Sequence, residues 1–467
     1  MTEQKIDAKP QSEMRERNRL GTDPIRPLIK ELALPAIVAQ VINLLYNIVD
    51  RIYIGRIPEV GPLALSGLGI ATPIILIVSA FAAFSAYGGA PLASLALGAE
   101  EHDRARRLLQ SNASLNLGLA ALITLLSQLF LPQLLQIFGA QTSNRPYAQA
   151  YLRIYLMGTV FVLMVMSLNS FISAQGEAKI AMRTVVIGAV ANIILDPIFI
   201  FLFKLGVRGA AYATILSQAI SMLAVLKFLS SSQARLRLRR LSFEARLVWQ
   251  SVRLGVSGFI MIATESAVIM VYNRLLGAYG GELHVANMVI LQSVMQMLFI
   301  PMNGYVAGVQ PLLGYNYGAR QYERVREILK NSLVLLFAFS FSTAVLAALL
   351  PGLFASIFTG DTALKALVIR YLPIFIIGMS IFGLQEIAQM YFVGTNQALK
   401  SIFLAMLRKV ILLIPLCFLL AKRYGLMGIY VSEALADFCS ASTAGYMFFH
   451  AYRSLKDKLK ADPTPLK

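Results

Sequence analysis

This chain carries little charge for its length. Asp, Glu, Lys and Arg make up 14% of its 467 residues, against roughly 25% in an ordinary soluble domain, so the surface cannot face water all round. Cysteine is nearly absent: Cys417 and Cys439 both lie inside apolar stretches, which excludes a disulfide framework. His102, His284 and His450 are scattered, and none has a metal-ligand partner at helical spacing. No G-x-x-x-x-G-K-[ST] loop occurs and no insert is large enough for a nucleotidase domain, so ATP is not the direct energy source. H-E-x-x-H and G-x-S-x-G are also missing, which leaves no catalytic constellation for an enzyme or a membrane-embedded transferase. No cofactor is called for. Acidic residues are outnumbered 24 to 42, for a net charge of +18, yet the basic segments lack the interleaved aromatics of a nucleic-acid surface.

Apolar residues fill this gap, at 57% of the chain with a mean hydropathy of +0.66. They come in runs of about 20, each long enough to cross a ~30 Å hydrocarbon layer as a helix. The expected fold is therefore an all-α polytopic membrane protein. Twelve spans are predicted, starting near Leu28, Leu63, Leu108, Ala148, Ile180, Val207, Val248, Leu283, Ile328, Leu364, Ser401 and Leu426. The polar first 27 residues read as a tail rather than a cleavable signal peptide.

The basic residues orient the spans. About 29 of the 42 fall on the side of the two tails and of the segment 231–247. By the positive-inside rule that side is cytoplasmic, in a multi-pass protein of the cell inner (plasma) membrane. The sequence also repeats. Pro91, Gly98, Ala99, Arg104, Arg106 and Leu109 recur as Pro311, Gly318, Ala319, Arg324, Arg326 and Leu329, at one offset of 220. Gly176 and Pro197 are set against Gly394 and Pro415, and Gly206 and Gly209 against Gly425 and Gly428, at nearly that offset. The organisation read from this is a cytoplasmic tail (1–27), a six-helix half (28–230), a basic linker (231–247), a second half (248–453) and a tail (454–467). Two halves with equal topology are expected to be related by a pseudo-two-fold axis along the membrane normal.

Each charge inside a span costs roughly 2.5–3.5 kcal/mol on insertion scales and needs a reason. In the first span Gln40, Asn43, Asn47 and Asp50 share one helical face. In the fifth, Asn192 and Asp196 lie one turn apart, and Pro197 frees the carbonyl of Ile193 beside them. An amide, a carboxylate and a freed carbonyl suit a small cation or a proton. Thr214, Gln218 and Ser221 extend a polar face in the sixth span; helix–helix bonding accounts for Gln218 and Ser221. In the second half, Glu265 stands alone in its span and Glu386 lies beside Gln385 and Gln389, two candidates for a second coupling or substrate site. Glu433 and Asp437 could instead pair with Arg408 or Lys409, or those cations could snorkel to the cytoplasmic surface. By the repeat Thr214 maps onto Glu433, but Asn192 and Asp196 map onto Val410 and Ile414, so the halves share architecture and not chemistry. The eighth span groups Met288, Met295, Met297 and Met302 with Gln292, Gln296 and Phe299. Span packing explains any one of them; as a group they suit an adaptable cavity.

These residues resemble the multidrug and toxic compound extrusion (MATE) family, nearest its MepA-type members, over about residues 25–455. The resemblance rests on P-x14-D at Pro35 and Asp50 followed by Ile54-Gly55-Arg56, on N-x-x-x-D-P at Asn192, Asp196 and Pro197, on Gly206–Ala211, and on the stretch Gln310–Ala319. It implies a MATE/MOP-type fold and an antiporter that exports amphipathic organic cations against inward Na⁺ or H⁺, with membrane lipid as its surroundings and the monomer as its unit. It implies a cation-coupling set of Asp50, Asn192, Asp196 and Thr214, with no metal beyond transported Na⁺. Glu265 and Glu386 fall at or near the acidic positions other members use, although Ser257 stands where a Pro often follows Gly255. Pro35 and Pro197 are the expected hinges, and Gln40, Asn43, Asn47, Met295 and Gln296 the substrate-cavity candidates. The alternative within the superfold is a flippase for lipid-linked oligosaccharides or precursors, which would need several Arg lining its cavity.

Overall fold

The computed structural model describes residues 19–461, with side chains to residue 455; residues 1–18 and 462–467 of the predicted tails lie outside the described residues. Helices account for nearly all of it, and no strand forms among the described residues. The chain order is α1 (Ile25–Gly55), α2 (Gly61–Gly98), α3 (His102–Leu129), then α4, which bends by 55° between Arg145–Met157 and Thr159–Ala174. α5 (Ala178–Leu202) and α6 (Val207–Ser230) complete the first half. The continuous stretch Ala245–Gly318 is two spans, α7 (245–280) and α8 (282–318), because Gly281 at φ 71° and ψ −172° leaves helical geometry. α9 (Tyr322–Leu349) follows, then α10, which runs from Thr362 through a 3₁₀ turn to Gly394. Ala398–Leu455 divides at Gly425 into α11 (398–424) and α12 (426–455). Length and composition alone pick out nine membrane-crossing helices and one bent pair among the described residues; the breaks at Gly281 and Gly425 bring these to the twelve predicted spans.

The backbone repeats more faithfully than the sequence does. Gly206 (φ 53°, ψ −130°) and Gly425 (φ 59°, ψ −137°) hold the same left-handed turn before α6 and α12, a conformation a side chain would strain. Glu100 (φ 61°) and Arg320 (φ 58°) match at offset 220. So do the hydrogen bonds behind them, Glu101 N–H to the Ala96 carbonyl and Gln321 N–H to that of Asn316. The same comparison corrects one sequence pairing. The structural counterpart of Gly176 (φ 89°) is Asn396 (φ 59°), not Gly394, since Glu177 N–H to Ile172 and Gln397 N–H to Phe392 close the same turn. Asparagine tolerates the left-handed region, so it can hold the turn that Gly176 holds.

The halves meet along α1 with α8 and along α2 with both α7 and α8, where glycines let backbones touch. A Cβ on Gly98 would lie 1.9 Å from the Tyr315 carbonyl oxygen, and one on Gly318 2.1 Å from that of Leu95. Residues 95 and 98 are the repeat partners of 315 and 318, so each half presses the same glycine on the same carbonyl of the other. Asn112 adds a polar tie, accepting from Ser85 at 2.9 Å and donating to Ser251 of α7 at 2.9 Å. Across the same end, Arg324 donates to the carbonyls of Leu20 (3.1 Å) and Asp23 (2.8 Å). This is the end that carries the basic loops.

Outward-facing surfaces are apolar, as a bilayer requires. On α1 the exposed stripe is Leu34, Val38, Val41, Leu45, Ile48 and Ile52, repeating every three or four residues.

Candidate functional site

Four helices of the first half converge on Asp50. α1 delivers it buried, with 8% of its surface exposed. α5 sets Asn192 and the fully buried Asp196 one turn apart, and α6 adds Thr214. Asn192 Nδ2 donates to Asp196 Oδ1 at 3.3 Å, and Thr214 Oγ1 donates to the Ala210 carbonyl at 2.9 Å, leaving the hydroxyl lone pairs for another partner. Asp50 and Asp196 lie within each other's field. Three buried oxygens here have no hydrogen-bond partner: Asp50 Oδ1, Asn192 Oδ1 and Asp196 Oδ2. Buried polar atoms are almost always paired, and an unpaired buried charge costs several kcal/mol. Arg51, next along α1, lies in the field of Asp50, but no cation forms an ion pair with either carboxylate among the described residues. Two carboxylates, an amide oxygen and a hydroxyl make an oxygen-only environment that fits a hard cation or a shared proton.

Sequence reasoning missed Tyr151. It comes from α4, reaches Thr214, and sits in the field of both carboxylates. Its ring stacks on Tyr155 with centroids 5.9 Å apart. Nothing in the local sequence separates it from an ordinary span-packing aromatic.

Pro197 is followed at once by a π-helical turn, Ile198–Leu202, where the missing proline N–H loosens the helix next to Asp196. At Pro35, by contrast, α1 is continuous and the proline itself is buried. α8 clamps it on both sides, Gly308 against Leu32 and Ala33 and Gly304 against Ile37.

Gln40, Asn43, Asn47 and Asp50 lie on the side of α1 opposite the apolar stripe. Asn47 is nevertheless exposed, its Nδ2 bonded to the Asn43 carbonyl at 2.6 Å. An exposed residue facing away from lipid opens on space between the helices. Of the eighth-span candidates, Gln296 is exposed, whereas Met288, Met295 and Met302 are buried in the main core. Here the packing reading of the methionines describes their position.

The second half is built on charge pairs. Arg408 and Lys409 do not snorkel to a surface: their side chains are only 14% and 12% exposed, and they point to different helices. Arg408 bonds Asp437 at 2.5 Å and Glu433 at 3.1 Å, with its guanidinium 4.7 Å from the Phe382 ring centroid. Tyr272 donates to the other oxygen of Glu433. Lys409 pairs with Glu265 and donates to the Met261 carbonyl at 3.1 Å, so Glu265 is not alone as the sequence suggested. Both cations belong to a π-helical stretch, Leu407–Leu413. Its wider turn lets two adjacent residues serve α12 and α7 at once. Glu265 keeps 45% of its side chain exposed. Glu386 is buried, with Arg408 and Tyr87 in its field. The structure thus brings together Asp50, Asn192, Asp196 and Thr214, and separately gathers Glu265, Glu386, Glu433 and Asp437 around two resident cations. Among the described residues, no cluster of three or more His, Cys, Asp or Glu side chains is arranged to hold a metal ion.

The family described as MatE matches residues 35–198 and 259–419, more than half of the chain and one block in each half. The chain belongs to the MatE family. Among curated MatE relatives, it is 24% identical to the multidrug export protein MepA of Staphylococcus haemolyticus (strain JCSC1435), over 93% of this chain and 94% of that one. It is 23% identical to MepA of Staphylococcus aureus (strain MRSA252), over 95% and 97%. Solved MatE-type structures share its fold. One is the outward-facing conformation of a multidrug resistance MATE family transporter of the MOP superfamily, with a TM-score of 0.86, 22% identity and coverage of 94% and 98%. Another is a MOP superfamily transporter from Pyrococcus furiosus, with a TM-score of 0.87, 22% identity and coverage of 94% and 99%. MatE is a family of membrane transporters.

Proposed function

We propose that this MatE chain is a secondary antiporter that exports amphipathic organic cations in exchange for inward Na⁺ or H⁺. The observation that carries the reading is the trio of unpartnered oxygens on Asp50, Asn192 and Asp196. Two buried carboxylates with unpartnered oxygens, and only Arg51 of opposite sign in the field of Asp50, call for a cation or a proton, and a transported ion meets that need and can leave again. The MepA relatives, named as multidrug export proteins, supply the direction and the cargo class.

In the cycle, the ion enters from outside and neutralises the two carboxylates. Asp50 shares a helix face with Gln40, Asn43 and Asn47, so a shift of its carboxylate moves the polar lining of the space between the halves. The loosened turn after Pro197 accommodates the change in α5, and Pro35 bends α1 once α8 releases it. The organic cation is bound less well and departs outward. The basic end then opens, the ion escapes to the cytosol, and a new substrate enters from cytosol or inner leaflet. Because a ligand shifts an equilibrium only by its differential affinity for the two states, ion and drug must compete or prefer opposite states. In the second half, Lys409 is a built-in cation on half-exposed Glu265, the place where an incoming organic cation competes with a lysine rather than with Na⁺. The flippase alternative is disfavoured because the buried Arg408 is already committed to Glu433 and Asp437.

Everted vesicles test the reading. Ethidium accumulation should follow an imposed ion gradient and vanish in Asp50→Asn and Asp196→Asn while both variants still insert. Replacing Na⁺ by K⁺ at clamped pH then identifies the ion. Gradient-driven accumulation that survives both substitutions would falsify the coupling assignment.

A further inference from the structure

One cluster of cations plays no part in this cycle. At the basic end, a cleft of about 400 Å³ lies between the first turns of α3 and the linker, lined by Asp103, Arg106, Arg107, Gln110, Arg239 and Arg240. The linker is not a loose tether. Leu238 N–H bonds the Leu229 carbonyl at 3.0 Å, Leu236 N–H bonds Gln175 Oε1 at 2.8 Å, and Ser242 is tied to Gln110 at 3.2 Å and Ser114 at 2.9 Å. Arg239 and Arg240 sit between these anchors and are exposed, with no ion-pair or hydrogen-bond partner among the described residues. Facing them, Arg106 is held by Asp103 at 2.8 Å, and Arg107 lies 3.5 Å from Glu244. The cleft therefore keeps a net positive charge that no protein group neutralises.

Its apolar neighbours decide what kind of anion fits. The same strap turns Leu241 and Phe243 outward, and the chain's single tryptophan, Trp249, follows near the start of α7; Phe243 is 62% and Trp249 66% exposed. A soluble phosphate gains nothing from three exposed apolar side chains. A phosphate at the head of an acyl chain does, and exposed Trp beside Arg is the pairing that settles at a headgroup layer. We infer that this cleft is a binding site for an acidic phospholipid: Arg239 and Arg240, with Arg106 and Arg107, grip the headgroup phosphate, and Leu241, Phe243 and Trp249 lie along its acyl chains.

Native mass spectrometry of the full chain in detergent, with phosphatidylglycerol and phosphatidylcholine supplied equally, tests this. Phosphatidylglycerol adducts should dominate, and Arg239→Gln with Arg240→Gln should lower their apparent affinity about thirtyfold, the scale set by two interfacial cations. Lys204→Gln with Arg208→Gln, which removes two cations at the opposite end, should leave them unchanged. Leu241→Ser with Phe243→Ser should weaken phosphatidylglycerol as well. Equal adducts of the two lipids, an equal loss in the opposite-end variant, or displacement of the lipid by millimolar inorganic phosphate would each overturn the proposal.

Discussion

Lys409 shows what a single residue in a span can hide. Its pairing with Glu265 joins side chains 144 positions apart, and no local pattern announces it. Asn192 and Asp196 were legible because the helical period and Pro197 act within one turn. The Lys409–Glu265 pair depends on how α11 packs beside α7, which only the assembled bundle decides. Removing one partner of a buried ion pair costs about 3–5 kcal/mol, and partial exposure of Glu265 reduces that toward ~1–3 kcal/mol. Lys409→Met is therefore expected to lower the melting temperature in detergent, and Glu265→Gln in the same chain to restore most of it. A double-mutant cycle with no coupling would show that the two groups do not interact. Tyr151→Phe makes a gentler test in the other half. It removes one hydroxyl beside Thr214 and should weaken ion dependence of transport by about 1 kcal/mol, near fivefold, without affecting stability. An unchanged ion dependence would remove Tyr151 from the site.

At the scale of elements, the repeat was legible in Pro91, Gly98 and Arg104 because those residues build the same turn twice. It was misread at Gly176, whose backbone conformation is held in the second half by Asn396 rather than by a glycine. The twelve spans were likewise readable from hydrophobic runs, but the π turns were not, since they answer to packing. The reciprocal contact of Gly98 and Gly318 gives the elements a testable symmetry. Overpacking a tight contact costs about 1–3 kcal/mol, and both carbonyls here are backbone, unable to step aside. Gly98→Ala and Gly318→Ala should each loosen the basic end by similar amounts. Increased reactivity of a cysteine introduced at Ser94, whose hydroxyl bonds the Ala174 carbonyl at 3.0 Å, would report the opening. If only one glycine mattered, the halves would not bear on each other symmetrically.

For the whole molecule, the decisive quantity is which end of the bundle admits water. The polar ties between the halves include the contacts of Asn112 with Ser251 and of Arg324 with Leu20 and Asp23, at the end with the basic loops. Asn47, nearer the other end of α1, is exposed on the face turned away from lipid. If positive charge marks the cytoplasm, this arrangement is closed inward and open outward. The two natural cysteines allow a clean measurement, because Cys417 is buried and the exposed Cys439 can be replaced by serine. In that background, Asn47→Cys should react with a membrane-impermeant maleimide added outside intact cells, and an excess of transported organic cation should slow the reaction. Leu45→Cys, on the lipid-facing stripe, should resist the reagent although it is just as exposed in the bare protein, because a maleimide needs water to form its thiolate partner. Labelling of Asn47→Cys only from everted vesicles would reverse the orientation assigned from charge. Equal labelling at both positions would mean that the polar face of α1 borders lipid, leaving Asp50 with no aqueous route and the ion no way in.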